Sequence, residues 1–256
     1  MTTCTDEKRT ALVTGSGKGV GAGVVRVFAA RGIRCCINCN THPDMAAALL
    51  REIEEAGGEG FVYQADVTDL AQIGNMVDAV IQRWGRLDIL VNNAAMQPNK
   101  FIDMYDLETL KNIWDINIGG YFHTARACLP YIRKSECGRI VNISSIHGKR
   151  PTGFDAGYAM TKGAIRMFTR ELALELFDAG ITVNAIDLGG CAIEFKTGNM
   201  KINSYGPLDC RNPAFTGSYR LVKPVQVGEL AYWLCSPAAS AVTGDGIRMD
   251  NGWVLV

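Results

Sequence analysis

The chain has 256 residues, and 26 lysines and arginines balance 26 aspartates and glutamates, so its formal net charge is +0. A balanced charge gives no electrostatic reason to expect a nucleic acid or a membrane surface as partner. Hydrophobic residues make up 48% of the chain and charged residues 20%, which is typical of a globular protein with one large core. No apolar run has the length of a membrane-spanning helix, and residues 1–9 lack the apolar core of a signal peptide, so we expect a cytoplasmic protein.

Strand-like and helix-like segments alternate along the chain from residue 10 onward. Strands are predicted at 10–14, 33–39, 60–65, 87–92, 138–144, 181–186 and 246–250, with helices between them that include 69–84 and 156–178. This order predicts an α/β fold, namely a single-domain, Rossmann-like, doubly wound parallel sheet of about seven strands with helices on both faces. We therefore expect one domain over 10–256, preceded by a polar N-terminal extension over 1–9.

A glycine-rich turn joins the first predicted strand to a helical stretch. It reads Gly15-Ser16-Gly17-Lys18-Gly19-Val20-Gly21. Glycines in such a turn let the backbone approach a pyrophosphate, which binds the exposed N–H groups at the start of the helix. The position between a strand and a helix favours this interpretation over a merely structural turn and makes 10–256 a predicted dinucleotide-binding domain.

Tyr158 and Lys162 stand at positions i and i+4 of a predicted helix, and Ser145 ends the strand-like run that begins at Arg139. Residues at this spacing share one helix face, where a lysine ammonium favours the phenolate of a neighbouring tyrosine. A serine hydroxyl at the adjacent strand end can hold a substrate oxygen while the tyrosine exchanges its proton. Because such a pair is usually a solvated surface pair, this acid/base hypothesis depends on the other motifs.

The chain resembles the short-chain dehydrogenase/reductase family over essentially its whole length after residue 9. Thr14-Gly15-x-x-x-Gly19-x-Gly21 matches the cofactor motif of the family, and Asp66-Val67 matches its adenine-contact pair. Asn92-Asn93-Ala94-Ala95 is similar to the motif after the fourth strand, with Ala95 where glycine is commoner. Asp250-Asn251-Gly252-Trp253 is similar to the C-terminal motif.

This resemblance implies an oxidoreductase that interconverts a carbonyl and a secondary alcohol by hydride transfer with a nicotinamide dinucleotide. It places Asn117, Ser145, Tyr158 and Lys162 on the catalytic tetrad, with Tyr158 as general acid/base and Asn117 in a distorted helix that supports a proton relay. The residues expected to bind the cofactor are Gly15, Ser16, Lys18, Gly19, Val20, Gly21, Asn40, Thr41, Asp66, Val67, Asn93, Ala94, Tyr158, Lys162, Gly189 and Cys191.

We expect NADP rather than NAD, although NAD remains an alternative. An acidic residue usually ends the second strand of an NAD enzyme, where it binds the ribose 2′-OH. Here the strand ends at Asn40 and Thr41, with no acid before Asp44. The resemblance also places Lys18 where NADP-using relatives carry a basic residue.

No metal site is expected. Cys36 and Cys39 have the C-x-x-C spacing, but residues three apart in a strand point to opposite faces. We interpret the nine cysteines as reduced, mostly buried thiols.

The sequence indicates the type of reaction but does not identify one substrate. Residues 190–223 fall where the family has a mobile substrate lid, and Ser145, His147 and Tyr158 are the expected substrate contacts. His147 makes this stretch similar to bacterial glucose dehydrogenases of the family, so a sugar dehydrogenase is one alternative and a 3-oxoacyl-carrier-protein reductase another. An alternative of a different class is a non-catalytic dinucleotide-binding protein on the same fold.

Two positions depart from the pattern of the family. Leu188 stands where a proline is usual, and Ile193 stands where a threonine holds the nicotinamide carboxamide. With Gly190 added, this turn gains conformational freedom, so we expect a lid that is open without ligand. The apolar end of the chain, Trp253 to Val256, favours a homotetramer, the common assembly of the family together with the dimer.

Overall fold

The computed structural model describes residues 9–150, 153, 155–192 and 221–255. The expected lid over 190–223 and the extension over 1–9 therefore lie largely outside the described residues, as does Ile193. The strands are β1 Thr10–Val13, β2 Arg34–Cys39, β3 Gly60–Gln64, β4 Ile89–Asn92, β5 Arg139–Ser145, β6 Thr182–Leu188 and β7 Gly246–Met249. The α-helices are α1 Gly19–Ala30, α2 Pro43–Glu55, α3 Leu70–Trp84, α4 Leu107–Trp114, α5 Gly120–Ile132, α6 Ala156–Glu175 and α7 Pro224–Cys235.

The seven strands form one sheet in the order β3-β2-β1-β4-β5-β6-β7, and every neighbouring pair is parallel. From β1 the next strands, β2 and β3, are added on one side, and β4 to β7 are then added on the other side. This reversal opens a crevice at the carboxyl ends of β1 and β4, the usual ligand site of such sheets. The predicted doubly wound fold is confirmed.

Helices cover both faces of the sheet, and the strands send alternate side chains into two cores. Ala11 and Val13 of β1 point to the core under α1, α2 and α7, whereas Leu12 points to the core under α3, α5 and α6. The central strands β1 and β4 are buried on both faces, which explains why they are nearly continuous apolar runs in the sequence.

All seven predicted strands are present, with small differences at their ends. β4 begins at Ile89 rather than at residue 87, and β6 continues to Leu188, which pairs with Ser145 of β5. A proline lacks the N–H that a central strand uses for its ladder, so leucine at position 188 suits this longer strand. The predicted helix 156–178 ends as α6 at Glu175 and is followed by a 3₁₀ turn at Phe177–Ala179.

One expectation about cysteines is wrong. Six cysteines in the described ranges are thiols outside any disulfide, and five of these are buried. Cys137, however, is disulfide-bonded, so the interpretation of every cysteine as a reduced thiol fails there.

Two glycines let α1 and α7 pack closely together. A Cβ atom on Gly23 of α1 would lie 2.3 Å from the Pro224 carbonyl carbon, and a Cβ atom on Gly228 of α7 would lie 2.5 Å from the Gly23 carbonyl oxygen. No side chain larger than hydrogen fits at either position unless the helices separate.

We expect Gly23→Ala to lower the free energy of unfolding by about 2 kcal/mol, because it forces the helices apart. Gly74 of α3 has no heavy atom within 4 Å of an added Cβ, so it provides the matched control. Gly74→Ala is expected to stabilise the protein by about 0.5–1 kcal/mol through helix propensity alone. Urea unfolding measures both, and equal effects at the two positions would contradict the close-packing account.

Candidate active site

A cavity of about 760 Å³ lies at the carboxyl edge of the sheet. It brings together sixteen predicted site residues, namely Gly15, Lys18, Gly19, Val20, Asn40, Thr41, Asp66, Val67, Asn93, Ala94, Ser145, His147, Tyr158, Lys162, Gly189 and Cys191. Three other predicted residues, Ser16, Gly21 and Asn117, are buried and do not line it. Among the residues that line the cavity but were not predicted from the sequence are His42, Met96, Gln97 and Asn99.

The glycine turn after β1 exposes backbone donors to this cavity. Gly15 and Gly19 both have φ of 60°, which favours glycine, and the helix-capping residue Lys18 makes no side-chain hydrogen bond to the first turn of α1. The first N–H groups of α1 therefore have no side-chain cap. A Cβ atom on Gly21 would lie 2.6 Å from the amide nitrogen of the Asn93 side chain, so this glycine permits close packing between α1 and the end of β4.

Side chains from three neighbouring strand ends fix the shape of the turn. The Asn38 Oδ1 of β2 accepts a hydrogen bond from the Gly15 N–H at 2.9 Å. The Asn93 side-chain amide donates to the Thr14 and Gly15 carbonyl oxygens at 2.8 and 3.0 Å. Ser16 instead donates its hydroxyl to the Val13 carbonyl at 2.7 Å, which makes it a structural residue of the turn. Asn38 was missed in the sequence, although a polar amide inside a buried strand was the available signal.

Lys162 is the most deeply buried charged group that lines the cavity, with 1% of its surface exposed. Its ammonium donates to the Ile143 carbonyl oxygen at 2.9 Å. The same nitrogen lies 5.4 Å from the ring centroid of Tyr158 and 5.5 Å from that of Tyr121, a residue of α5 that the sequence analysis did not single out. The Tyr121 hydroxyl donates to the same Ile143 carbonyl at 2.8 Å, so one oxygen holds both groups.

Burial lowers the pKa of the Lys162 ammonium to about 7. The charged form loses hydration in this position, and the carbonyl and the two rings restore part of that loss. The lysine can therefore change its charge near neutral pH, which an exposed lysine does not do.

Ser145 ends β5 and turns the chain into a short 3₁₀ helix at Ile146–Gly148. Its Oγ accepts a hydrogen bond from the His147 N–H at 3.2 Å, which holds the hydroxyl at the strand end. The His147 ring meets the Tyr158 ring edge to face, with centroids 5.6 Å apart. Burial lowers the pKa of His147, so its imidazole is neutral at physiological pH.

Asn117 lies in a π-helical turn, Asp115–Gly119, between α4 and α5. Its Oδ1 accepts from the Met96 N–H at 2.8 Å, and its Nδ2 donates to the Met96 carbonyl at 2.9 Å and to the Thr161 hydroxyl at 3.0 Å. The side chain thus joins the loop after β4 to α6 next to Lys162. Single π turns of this kind are frequent at functional sites.

The end of β2 presents polar groups without an acid. The Asn40 side-chain amide donates to the Asp66 Oδ2 at 2.9 Å, and Thr41 and His42 continue along the cavity wall. Asp66 itself follows β3 and is held by the Thr68 N–H and hydroxyl, each at 2.8 Å. The Asp66 carboxylate that meets Asn40 is therefore already engaged with neighbouring donors.

The family model for short chain dehydrogenase matches residues 9–201. The chain belongs to the short-chain dehydrogenase/reductase family. Members of this family are dehydrogenases and reductases that use NAD(P), so the protein is an NAD(P)-dependent oxidoreductase.

Two similar proteins and one solved structure illustrate the range of the family. Glucose 1-dehydrogenase 2 of Bacillus subtilis is 33% identical over 249 residues, which cover 96% of this chain and 95% of that protein. The 3beta-hydroxysteroid dehydrogenase 1 of Eggerthella lenta is 35% identical over 254 residues, with coverage of 96% and 94%. A short chain dehydrogenase from Burkholderia cenocepacia in complex with NADP has a TM-score of 0.83 and 27% identity, with coverage of 96% and 98%.

The residues around the cavity fit a nicotinamide dinucleotide. Uncapped N–H groups at the start of α1 suit a pyrophosphate. Gly15, Gly17 and Gly19 line the cavity and carry no side chain that would keep a pyrophosphate away from the backbone. No helix in the described part of the chain is long and apolar enough to cross a bilayer. Within the same part, no group of three or more His, Cys, Asp or Glu side chains is arranged to hold a metal ion.

Proposed function

We propose that the protein is an NADP(H)-dependent oxidoreductase that interconverts a small-molecule carbonyl and a secondary alcohol, with Tyr158 as general acid/base. One observation carries this proposal. The buried Lys162 ammonium lies 5.4 Å from the Tyr158 ring, inside the cavity into which the glycine turn also opens. A non-catalytic dinucleotide-binding protein has no need to bury a lysine beside a tyrosine at this cost in hydration.

Each member of the proposed tetrad has a distinct task. Tyr158 gives its proton to the carbonyl oxygen in reduction and takes it from the alcohol in oxidation. Lys162 stabilises the phenolate through its charge, and Ser145 holds the substrate oxygen at the strand end. Asn117 fixes the loop after β4 against α6 and supports the path of the proton to solvent.

Most of the cofactor-binding residues that the family resemblance implies line the cavity, which supports the following assignment. The N–H groups at the start of α1, including those of Gly19 and Val20, would hold the pyrophosphate, and Asp66 and Val67 would flank the adenine. Asn93, Ala94, Gly189 and Cys191 would line the nicotinamide end. A dinucleotide bound there would supply or accept the hydride.

The preference for NADP is supported by the groups around the ribose position. Lys18 is an exposed cation at the edge of the cavity, and Asn40 and Thr41 offer polar donors where an NAD enzyme has an acid. The Asn40 side-chain amide already donates to Asp66. Lys18 would therefore be the main contact for a 2′-phosphate.

Sugar oxidation is the second candidate. His147 presents a neutral imidazole beside Tyr158, where it can bond a substrate hydroxyl next to the reacting carbon. The likeness to a glucose 1-dehydrogenase supports this reading. Reduction of a 3-oxoacyl group on carrier protein remains the alternative within the same reaction class.

We also propose a homotetramer in which copies meet through α5 and α6. Phe122 of α5 and Met160, Met167 and Leu174 of α6 expose at least half of their surfaces. The Phe122 and Phe168 rings are 6.0 Å apart, so the two helices lie side by side and their apolar residues form one surface. We also propose a cytoplasmic location. Six thiols in the described ranges support a reducing compartment, whereas the disulfide at Cys137 favours an oxidising one.

We expect Tyr158→Phe to lower kcat by about 10²–10⁴-fold, because the proton-transfer group is lost. The dissociation constant of the dinucleotide should stay nearly unchanged, since the ring remains. Tyr131→Phe, which removes a hydroxyl outside the cavity, is the matched control. Turnover by Tyr158→Phe within a few-fold of the wild type would refute the assigned role.

We expect the wild type to bind NADP(H) more tightly than NAD(H), and Lys18→Ala to narrow this gap by about fivefold, because an exposed charged contact is worth on the order of 1 kcal/mol. Titration calorimetry with both dinucleotides measures the gap, with Lys134→Ala, an exposed lysine outside the cavity, as control. Equal affinity of the wild type for the two dinucleotides would contradict the preference.

We expect kcat/KM for carbonyl reduction to fall as pH rises through about 7, the pKa to which burial lowers Lys162. Above this pH the free enzyme loses the ammonium that stabilises the phenolate left after proton transfer. Lys162→Arg keeps its charge at every pH, so any activity that it retains should not show this fall. The same inflection in both proteins would mean that another group titrates.

A further inference from the structure

We propose that Asp155 is a positioning residue that sets the width of the substrate cleft by fastening the loop after β4 to the start of the catalytic helix. This inference rests on the proposed function of Tyr158. The loop after β4, residues 93–106, contributes its first residues up to Asn99 to the cavity lining, and α6 contributes Tyr158 and Lys162. Asp155 stands three residues before Tyr158 and belongs to none of the motifs in the sequence.

Asp155 is fully buried and holds the loop at several points. One carboxylate oxygen accepts from the Asn99 N–H at 2.8 Å, and the other accepts a short hydrogen bond from the Tyr105 hydroxyl. The Asp155 N–H donates to the Lys100 carbonyl at 3.1 Å. Side chain and backbone therefore both bind the loop.

The same carboxylate caps the catalytic helix. Its oxygen lies 3.4 Å from the Tyr158 N–H, and Asp155 is the N-cap residue of α6. The group that holds the loop is thus one helical turn from the phenol. Any shift of the loop relative to α6 has to move this carboxylate.

Two further observations show that the contact is tightly built. Asp155 has φ of 62°, a left-handed conformation that costs energy for any residue with a side chain and that aspartate and asparagine tolerate best. The Tyr105 ring lies against Gly157, where an added Cβ would be 2.8 Å from the phenol oxygen. Burial and the hydrogen bond to Asp155 raise the pKa of Tyr105, so its hydroxyl stays a donor.

Asn117 does not duplicate this contact. It fixes the loop at Met96, three residues before Asn99, from the π-helical turn between α4 and α5. Met96, Gln97 and Asn99 all line the cavity, so the substrate wall lies between these two attachment points. Loss of the Asp155 contact frees the outer part of this wall and leaves the inner part in place.

The test compares Asp155→Gly with Asp155→Asn. Glycine and asparagine both accept the left-handed conformation, but only asparagine keeps a side-chain oxygen for the Asn99 N–H. We expect Asp155→Gly to lower kcat/KM by about tenfold, mainly through KM, because contacts that bind substrate and transition state alike are loosened. Asp155→Asn should stay within about threefold of the wild type. Tyr105→Phe, which keeps the ring against Gly157, should change KM in the same direction as Asp155→Gly.

Amide hydrogen exchange of a peptide spanning residues 96–106 gives a readout that needs no turnover. Exchange should be faster in Asp155→Gly than in the wild type and unchanged in Asp155→Asn. The dissociation constant of NADP(H) should stay within about twofold of the wild-type value in both variants. This control excludes a general loosening of the fold, which would also weaken NADP(H) binding. Unchanged exchange and unchanged KM in Asp155→Gly would overturn the proposal. An equal loss of kcat/KM in Asp155→Gly and Asp155→Asn would also overturn it, because the negative charge of Asp155 rather than its contacts with the loop would then be the cause.

A wild type without turnover would refute the proposed function, and hydrogen exchange would still decide whether Asp155 holds the loop.

Discussion

The site depends on one buried cation and the carbonyl oxygen that holds it. A lysine ammonium out of contact with bulk water loses hydration worth several kcal/mol, so it persists only where the fold supplies partners. The Ile143 carbonyl supplies one of them at 2.9 Å, from a strand that is buried along its whole length. Tyr121 donates to the same oxygen and places its ring beside the ammonium, and this contact fixes α5 against the sheet.

The sheet topology explains why the remaining groups gather around this lysine. Parallel strands end on one edge, so the residues after β1, β3, β4, β5 and β6 meet there although they are far apart in the chain. Asn117 and Asp155 then join the loop after β4 to α6 from two sides. The cavity is in this way bounded by the fixed edge of the sheet and by a wall that a few side chains hold in place.

The sequence was informative wherever a local pattern decided the structure. Alternation of apolar runs and amphipathic segments predicted every strand. Placement after strands, together with the family resemblance, predicted sixteen of the residues that line the cavity. It did not predict that Lys162 is buried, since a tyrosine and a lysine at i, i+4 are usually exposed. It also did not reveal Asp155, because the partners Asn99 and Tyr105 lie about fifty residues away and meet it only through the tertiary fold. The substrate could not be predicted, because the residue types in 190–223, the expected lid, are not specific to one ligand.

The most direct test of the account is a panel of carbonyls and alcohols, including sugars and acyl thioesters, assayed by nicotinamide absorbance with both NADPH and NADH. The account predicts that the protein reduces at least one carbonyl, or oxidises the matching secondary alcohol, and that NADP(H) supports the faster reaction. Tight binding of the dinucleotide without hydride transfer to or from any member of the panel would contradict it, since a buried lysine beside a tyrosine would then serve the fold alone.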